Sequence, residues 1–354
     1  MLKPRAFDVW IALHTMLLCL VTATCEAAGD EATLSDINYR FGDGFQIPGT
    51  GINLGGYATA SYENPPDAPQ RLAIDNLSLF VWWEGDSRWK FFSELEFENA
   101  LYSRSSDRTD VRQENGYLSL ERLYVDYALT DTTDIRAGKF LTPIGHWNLV
   151  HATPLVWTTS RPMVTTLAFP TNMTGVMVTQ TLPNIGNGID YSIYGSGGND
   201  LRPNPDLDTF SSAVGAHVDV PMVSGGQLGF SAADFEQSRT RPERKQLVGV
   251  DFEWSHDRYE ISAEAVYRFS DQGSSQDEKG AFVQFVAPLS GKLFGVVRYE
   301  TFRAAAEQGP TQLLLTGLNY RITHGLVLKA EWIGSRNNRI GAPDGLLCSI
   351  AILL

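Results

Sequence analysis

Glu94, Glu96 and Glu98 occupy alternate positions of one stretch, with Lys90 four residues before the first. In an extended chain successive side chains point to opposite faces, so these four charges share one. His217 and Asp219 have the same spacing. An imidazole beside a carboxylate can serve as an acid–base pair or as a hydrogen-bonded element of a wall. His146 and His151 are five apart in a proline-rich stretch without a third plausible ligand nearby. Neither G-x-S-x-G nor H-E-x-x-H occurs, and the glycine pairs Gly55-Gly56, Gly197-Gly198 and Gly225-Gly226 precede no helix that could hold a phosphate. The sequence therefore offers no catalytic set, no metal set and no cofactor motif. Its chemistry is charge arranged along strands.

The elements that carry these charges repeat every two residues. From Trp89 to Asn99 one face holds Trp89, Phe91, Leu95 and Phe97, and the other Lys90, Phe92, Glu94, Glu96 and Glu98. A soluble sandwich strand has such a dyad, and so does a wall between lipid and a water-filled lumen. The pattern recurs in about sixteen segments (range 14–18), from Gly51–Tyr62 to Gly345–Leu354, with no long helix pattern between them. Connections alternate between a few residues, as at Asp131–Thr132, His256–Asp257, Ser290–Gly291 and His324–Gly325, and long polar stretches such as 100–116 and 271–278. Short periplasmic turns and long extracellular loops are the layout of a closed antiparallel transmembrane β-barrel, whereas a sandwich has no reason to keep that alternation. Trp83, Trp89, Tyr127, Trp254, Tyr259, Tyr267, Tyr299, Tyr320 and Trp332 fall near strand ends on the apolar parity, where interfacial girdles belong.

Residues 1–27 read as a cleaved secretory signal, with Lys3 and Arg5 before the apolar run Trp10–Thr24 and a small-residue site at Ala27. That run is shorter than the roughly twenty residues of a spanning helix. A polar N-terminal segment, 28–50, then precedes a barrel over 51–354. The net charge is −13, and removing Lys3, Arg5, Asp8 and Glu26 takes two charges of each sign and leaves it unchanged. This disfavours nucleic acid as a partner. Of three cysteines only Cys348 lies beyond the signal, so the exported chain has no internal disulfide. Export and a lipid-facing parity together point to the bacterial outer membrane, in contact with its lipid and lipopolysaccharide.

Placing the polar parity inside gives a lumen lined by Lys90, Glu94, Glu96, Glu98, Arg122, Asp126, Arg136, Asp251, Glu253, Glu264, Arg268, Arg298, Glu300, Lys329 and Glu331. Acids outnumber bases over the whole inner parity, so a water-filled pore with a mild preference for cations is expected. An outer-membrane hydrolase is the rival from another class, and a channel specific for one kind of solute, such as an anion, is the other alternative.

Residues 117–162 resemble bacterial outer-membrane porins, in particular the superfamily that includes the phosphate-selective porins. The similar core is a strand ending in tyrosine and aspartate, a tight turn, then Arg136-Ala137-Gly138-Lys139-Phe140 and the Pro143-Ile144-Gly145 turn. The resemblance implies a non-enzymatic channel for passive diffusion of small hydrophilic solutes, in a fold that is often a homotrimer. It also implies that the proline-rich stretch 142–170, with His146, Trp147, His151, Trp157 and Arg161, folds into the lumen and narrows it. Two departures stand out. No basic pathway of the phosphate-selective kind is present, which sets anion specificity aside, and the last residue is Leu354 where such barrels usually end in an aromatic.

Overall fold

The computed structural model describes residues 38–40, 44–85, 87–104, 116–150, 152–198, 200–202, 208–223, 225–237 and 243–354. The signal segment 1–27 and His151 lie outside the described residues. Two short strands come first, β1 (Asn38–Arg40) and β2 (Gly44–Ile47), within the stretch read as a polar segment. Sixteen longer strands follow: β3 (Ile52–Asn64), β4 (Arg71–Glu84), β5 (Trp89–Arg104), β6 (Tyr117–Thr130), β7 (Thr133–Leu141), β8 (Asn172–Leu182), β9 (Ile189–Ser196) and β10 (Phe210–Pro221). They continue with β11 (Gly226–Gln237), β12 (Arg244–His256), β13 (Tyr259–Ser270), β14 (Glu278–Ser290), β15 (Leu293–Arg303), β16 (Thr311–Arg321), β17 (Leu326–Arg336) and β18 (Gly345–Leu353).

Each strand from β3 to β18 pairs antiparallel with the next, and β18 pairs back onto β3 from Leu346↔Asn64 to Leu353↔Tyr57. The sheet is therefore a closed sixteen-strand barrel. Closure satisfies the backbone of every wall strand, which is the condition for crossing lipid without helices. β2 pairs with Ile52–Leu54 at the same edge of β3, below the seam with β18. Turns at one rim are as short as the two residues between β6 and β7, and the connections at the other rim are longer.

Outward positions remain apolar and exposed. Val248 and Val250, Val283 and Phe285, Val297 and Tyr299, Leu314 and Leu318, and Trp332 form such a surface around β12–β17. In water this belt would be a liability, whereas lipid is its natural solvent. The inward face is less uniform than a simple polar lining. Phe282, Phe294, Val296, Phe302, Leu313, Leu315 and Ile333 are buried on it and form one cluster with Ile144, Trp147, Val156, Met163, Val164 and Phe169 from the connection between β7 and β8. Apolar side chains can point into this barrel because a segment of the chain is there to meet them.

Candidate functional site

That segment, residues 142–171, is the longest connection in the barrel. It holds a 3-10 turn (Trp147–Val150) and one helical turn, α1 (Met163–Leu167). Its neck is closed on itself. Thr142 Oγ1 donates to Pro170 O at 2.7 Å, and Asn148 Nδ2 bridges Thr142 O and Thr171 O at 2.8 and 2.9 Å. Gly145 adopts φ +67°, and a Cβ there would overlap the Glu264 carboxylate. Glycine lets the loop backbone approach the wall at this point.

The wall holds the loop with charged side chains. Glu264 accepts from Trp147 N at 2.6 Å and Glu300 from Met163 N at 2.6 Å. Glu331 accepts from Thr159 N, from Ser160 N at 3.2 Å and from Ser160 Oγ at 2.8 Å. Arg298 pairs with Glu300 at 2.7 Å and donates to Thr158 Oγ1 and Ser160 Oγ at 2.6 and 2.8 Å. Lys329 Nζ donates to Thr153 O and Thr158 O at 2.6 and 3.1 Å, and Arg268 Nη1 to Ala168 O at 2.8 Å. The loop's free peptide groups thus find partners among side chains projected from β13, β15 and β17.

Packing of the loop's own aromatics completes the attachment. Trp147 is buried, while Trp157 is half-buried, donates Nε1 to Glu260 at 2.8 Å and packs on Phe294 with ring centres 4.9 Å apart. His146 pairs with Glu253 at 3.0 Å. Burial opposes its protonation, yet Glu253, with Glu264 and Asp251 behind it, raises the imidazole above its ordinary value. Arg161 stacks on Trp147 at 5.1 Å, and its buried Nε and Nη2 have no hydrogen-bond partner.

The opposite wall, β4–β7, carries a row of aromatic rings and arginines on its inward face. Phe80, Phe92 and Tyr124 follow one another across three strands, with centroids 5.7 and 5.5 Å apart. Arg122 lies over Phe92 at 4.5 Å and pairs with Glu94 at 2.5 Å; Arg136 lies over Tyr124 at 3.7 Å and pairs with Asp126 at 2.7 Å. The two arginine side chains stay 20% and 28% exposed. Lys139, of the same stretch, is buried and pairs with Asp200 at 2.7 Å.

Of the fifteen side chains expected along the lumen, Glu94, Glu96, Asp251, Glu264, Arg268, Arg298, Glu300, Lys329 and Glu331 are buried. Lys90 is exposed, and Glu98, Arg122, Asp126, Arg136 and Glu253 are half-buried. Glu121 was missed. The register shifts between Glu94 and Leu95 opposite β6, so Glu121 and Arg122 are neighbours that break the dyad, and Glu121 is buried and accepts from Asn172 at 2.9 Å. A one-residue bulge leaves no mark in a periodicity read from one strand.

No protein-family profile matches this chain. An uncharacterized protein of Aquifex aeolicus (strain VF5) is 32% identical over 123 residues, which is 34% of this chain and 27% of that one, so the chain matches about a quarter of that relative's length. Solved structures give the fold. OmpF of Salmonella typhi, in complex with daunomycin, aligns at TM-score 0.61 and 11% identity, covering 86% of this chain and 98% of its own. The anion-selective porin of Comamonas acidovorans aligns at TM-score 0.54 and 11% identity, over 85% and 98%. The trimer form of OmpT of Vibrio cholerae aligns at TM-score 0.59 and 8% identity, over 86% and 99%. At these identities the likeness establishes the architecture alone, a porin-like closed β-barrel.

Proposed function

We propose that this chain is an outer-membrane porin, a water-filled channel for passive diffusion of small hydrophilic solutes with a mild preference for cations. The observation that carries this reading is the loop 142–171. It is drawn into the barrel and fastened to one wall by Glu264, Arg298, Glu300, Lys329 and Glu331. A loop so held is a fixed constriction, and solutes pass between it and the wall carrying Arg122, Tyr124 and Arg136. The net charge of −13 and the acidic excess on the inward parity support cation preference. The proposal includes removal of residues 1–27 on export, short turns on the periplasmic side, and a belt in contact with lipid and lipopolysaccharide. It also includes assembly as a homotrimer, as in the Vibrio cholerae form.

A second reading has its own observation. The half-exposed arginines over Phe92 and Tyr124 would suit an anion-preferring path. Planar-bilayer recording under a salt gradient separates the two. Stepwise conductance with a reversal potential on the cation side supports the first reading and one on the anion side the second. Folded protein that inserts and stays silent overturns both.

A further inference from the structure

One cluster on the inner wall takes no part in fastening the loop backbone through its carboxylates. His217 and Asp219 project from the same face of β10. Gly229 of β11 sits opposite Asp219, and Asp251 of β12 sits opposite Gly229. Glycine leaves the room there: a Cβ would overlap the Asp251 carboxylate, which fills the space the missing side chain leaves. Asp251 thereby reaches β10, and one ligand atom each of His217, Asp219 and Asp251 lies within 4.8 Å of the others.

Three observations mark this as a built site. His217 is buried, with Nδ1 2.8 Å from Ser231 Oγ and Nε2 3.1 Å from Asp219 Oδ1, so a second group orients the ring and Nε2 faces the carboxylates. Asp251 is 3% exposed. Its Oδ2 is buried without a hydrogen-bond partner. A buried carboxylate oxygen with no donor is destabilising, and a cation is the partner that relieves it.

We propose that His217, Asp219 and Asp251 bind a divalent transition-metal cation of the zinc class. One imidazole and two carboxylates suit zinc, cobalt, nickel or copper. Calcium asks for six to eight oxygens, and magnesium for a strict octahedron with retained waters. The two carboxylates neutralise the ion. In a tetrahedral site neighbouring ligand atoms lie about 3.3 Å apart, so side-chain rotations of roughly an ångström close the set, with the fourth position left for water. The site does not depend on solute passage: a barrel that conducted nothing would hold the same ligands.

The test uses the full untagged chain folded in detergent micelles, with folding checked by heat-modifiable migration. Zinc chloride is titrated calorimetrically, and cobalt is followed by its visible absorption. One zinc per chain is expected, with affinity falling about tenfold or more in Asp251→Asn and His217→Gln. Gly229→Ala, which pushes the Asp251 carboxylate aside, is expected to weaken binding too. His256→Gln, at an exposed turn, is expected to leave it unchanged. Folded wild-type protein that binds no zinc overturns the proposal, as does binding that persists unaltered in His217→Gln and Asp251→Asn. Should Asp251→Asn fail to fold, His217→Gln and Gly229→Ala decide the matter.

Discussion

Arg298 on β15 and Arg122 on β6 both project inward from a strand and both pair with a glutamate, at 2.7 and 2.5 Å. The first is 0% exposed and spends its remaining donors on Thr158 and Ser160 of the loop. The second is 20% exposed and rests on a phenylalanine ring. The same residue type is a clamp on one wall and a lining group on the other. What separates the roles is the loop. Where it covers the wall, the charges are held by loop groups and by one another, because desolvated ions are costly alone. Where it does not, water completes their solvation, and their fields reach a passing solute.

The largest effect should come from removing the difference altogether. Deleting residues 146–160 takes away half of the clamped segment, with most of its contacts to the wall, and opens the path, so single-channel conductance should rise several-fold while heat-modifiable migration persists. Unchanged conductance in a folded deletion variant would put the loop outside the pathway and reduce the two walls to one.

Next in size is the clamp itself. Arg298→Ala leaves Glu300 buried without its ion pair and frees two loop hydroxyls. Breaking a buried pair from one side costs about 3–5 kcal/mol. That strain should fall on the loop, whose attachment can yield, rather than on the barrel, whose ladder closes independently through β18 and β3. Protease cleavage within 142–170 should accelerate strongly in Arg298→Ala while the barrel stays resistant. In Arg122→Ala, on the other wall, loop cleavage should be unaffected. Equal acceleration in both variants would remove the distinction between the walls.

Selectivity offers a finer comparison. Arg136→Glu replaces a half-exposed cation beside Asp126 with an acid, so reversal potentials should move toward cations, more at low salt than at high because screening shortens the reach of the charge. Arg268→Gln, under the loop, should move them far less. A larger shift from Arg268 would mean that the covered wall, and not the open one, borders the solute path.

The strands were legible because lipid on one side and interior on the other impose a period of two, which marked about sixteen segments, and the alternation of connection lengths pointed to a barrel without reference to hydrophobicity. The long proline-rich segment stood out because alternation stops in it. Two features were not legible. Inward Phe282, Phe294, Leu313 and Leu315 look like any apolar residue in a strand whose two faces are both apolar, and only the loop's Trp147, Trp157 and Met163 explain them. The meeting of Asp251 with His217 and Asp219 depends on the register of three strands and on an absent side chain at Gly229. Pairing of that kind is not written in any one segment.

The smallest expected effect lies where the two walls come nearest in character, at His146 and Glu253. Both side chains are about one-third exposed, so the pair is screened and its contribution modest. The direction is nonetheless fixed. The folded imidazole titrates above its ordinary value of about 6.5. Its stabilising contribution is therefore fully present below that value and is lost as pH rises through the raised folded one. Loop protection against protease should then be slightly greater at mildly acid pH than at mildly alkaline pH, with the change falling between the unfolded and folded titrations. His146→Gln should flatten the profile, whereas the exposed His256→Gln should leave it intact. Because Glu253 anchors a loop end and not the loop centre, the same variant should leave conductance near that of the wild type. A pH-dependent conductance that vanished in His146→Gln would instead place this pair at the narrowest point of the path.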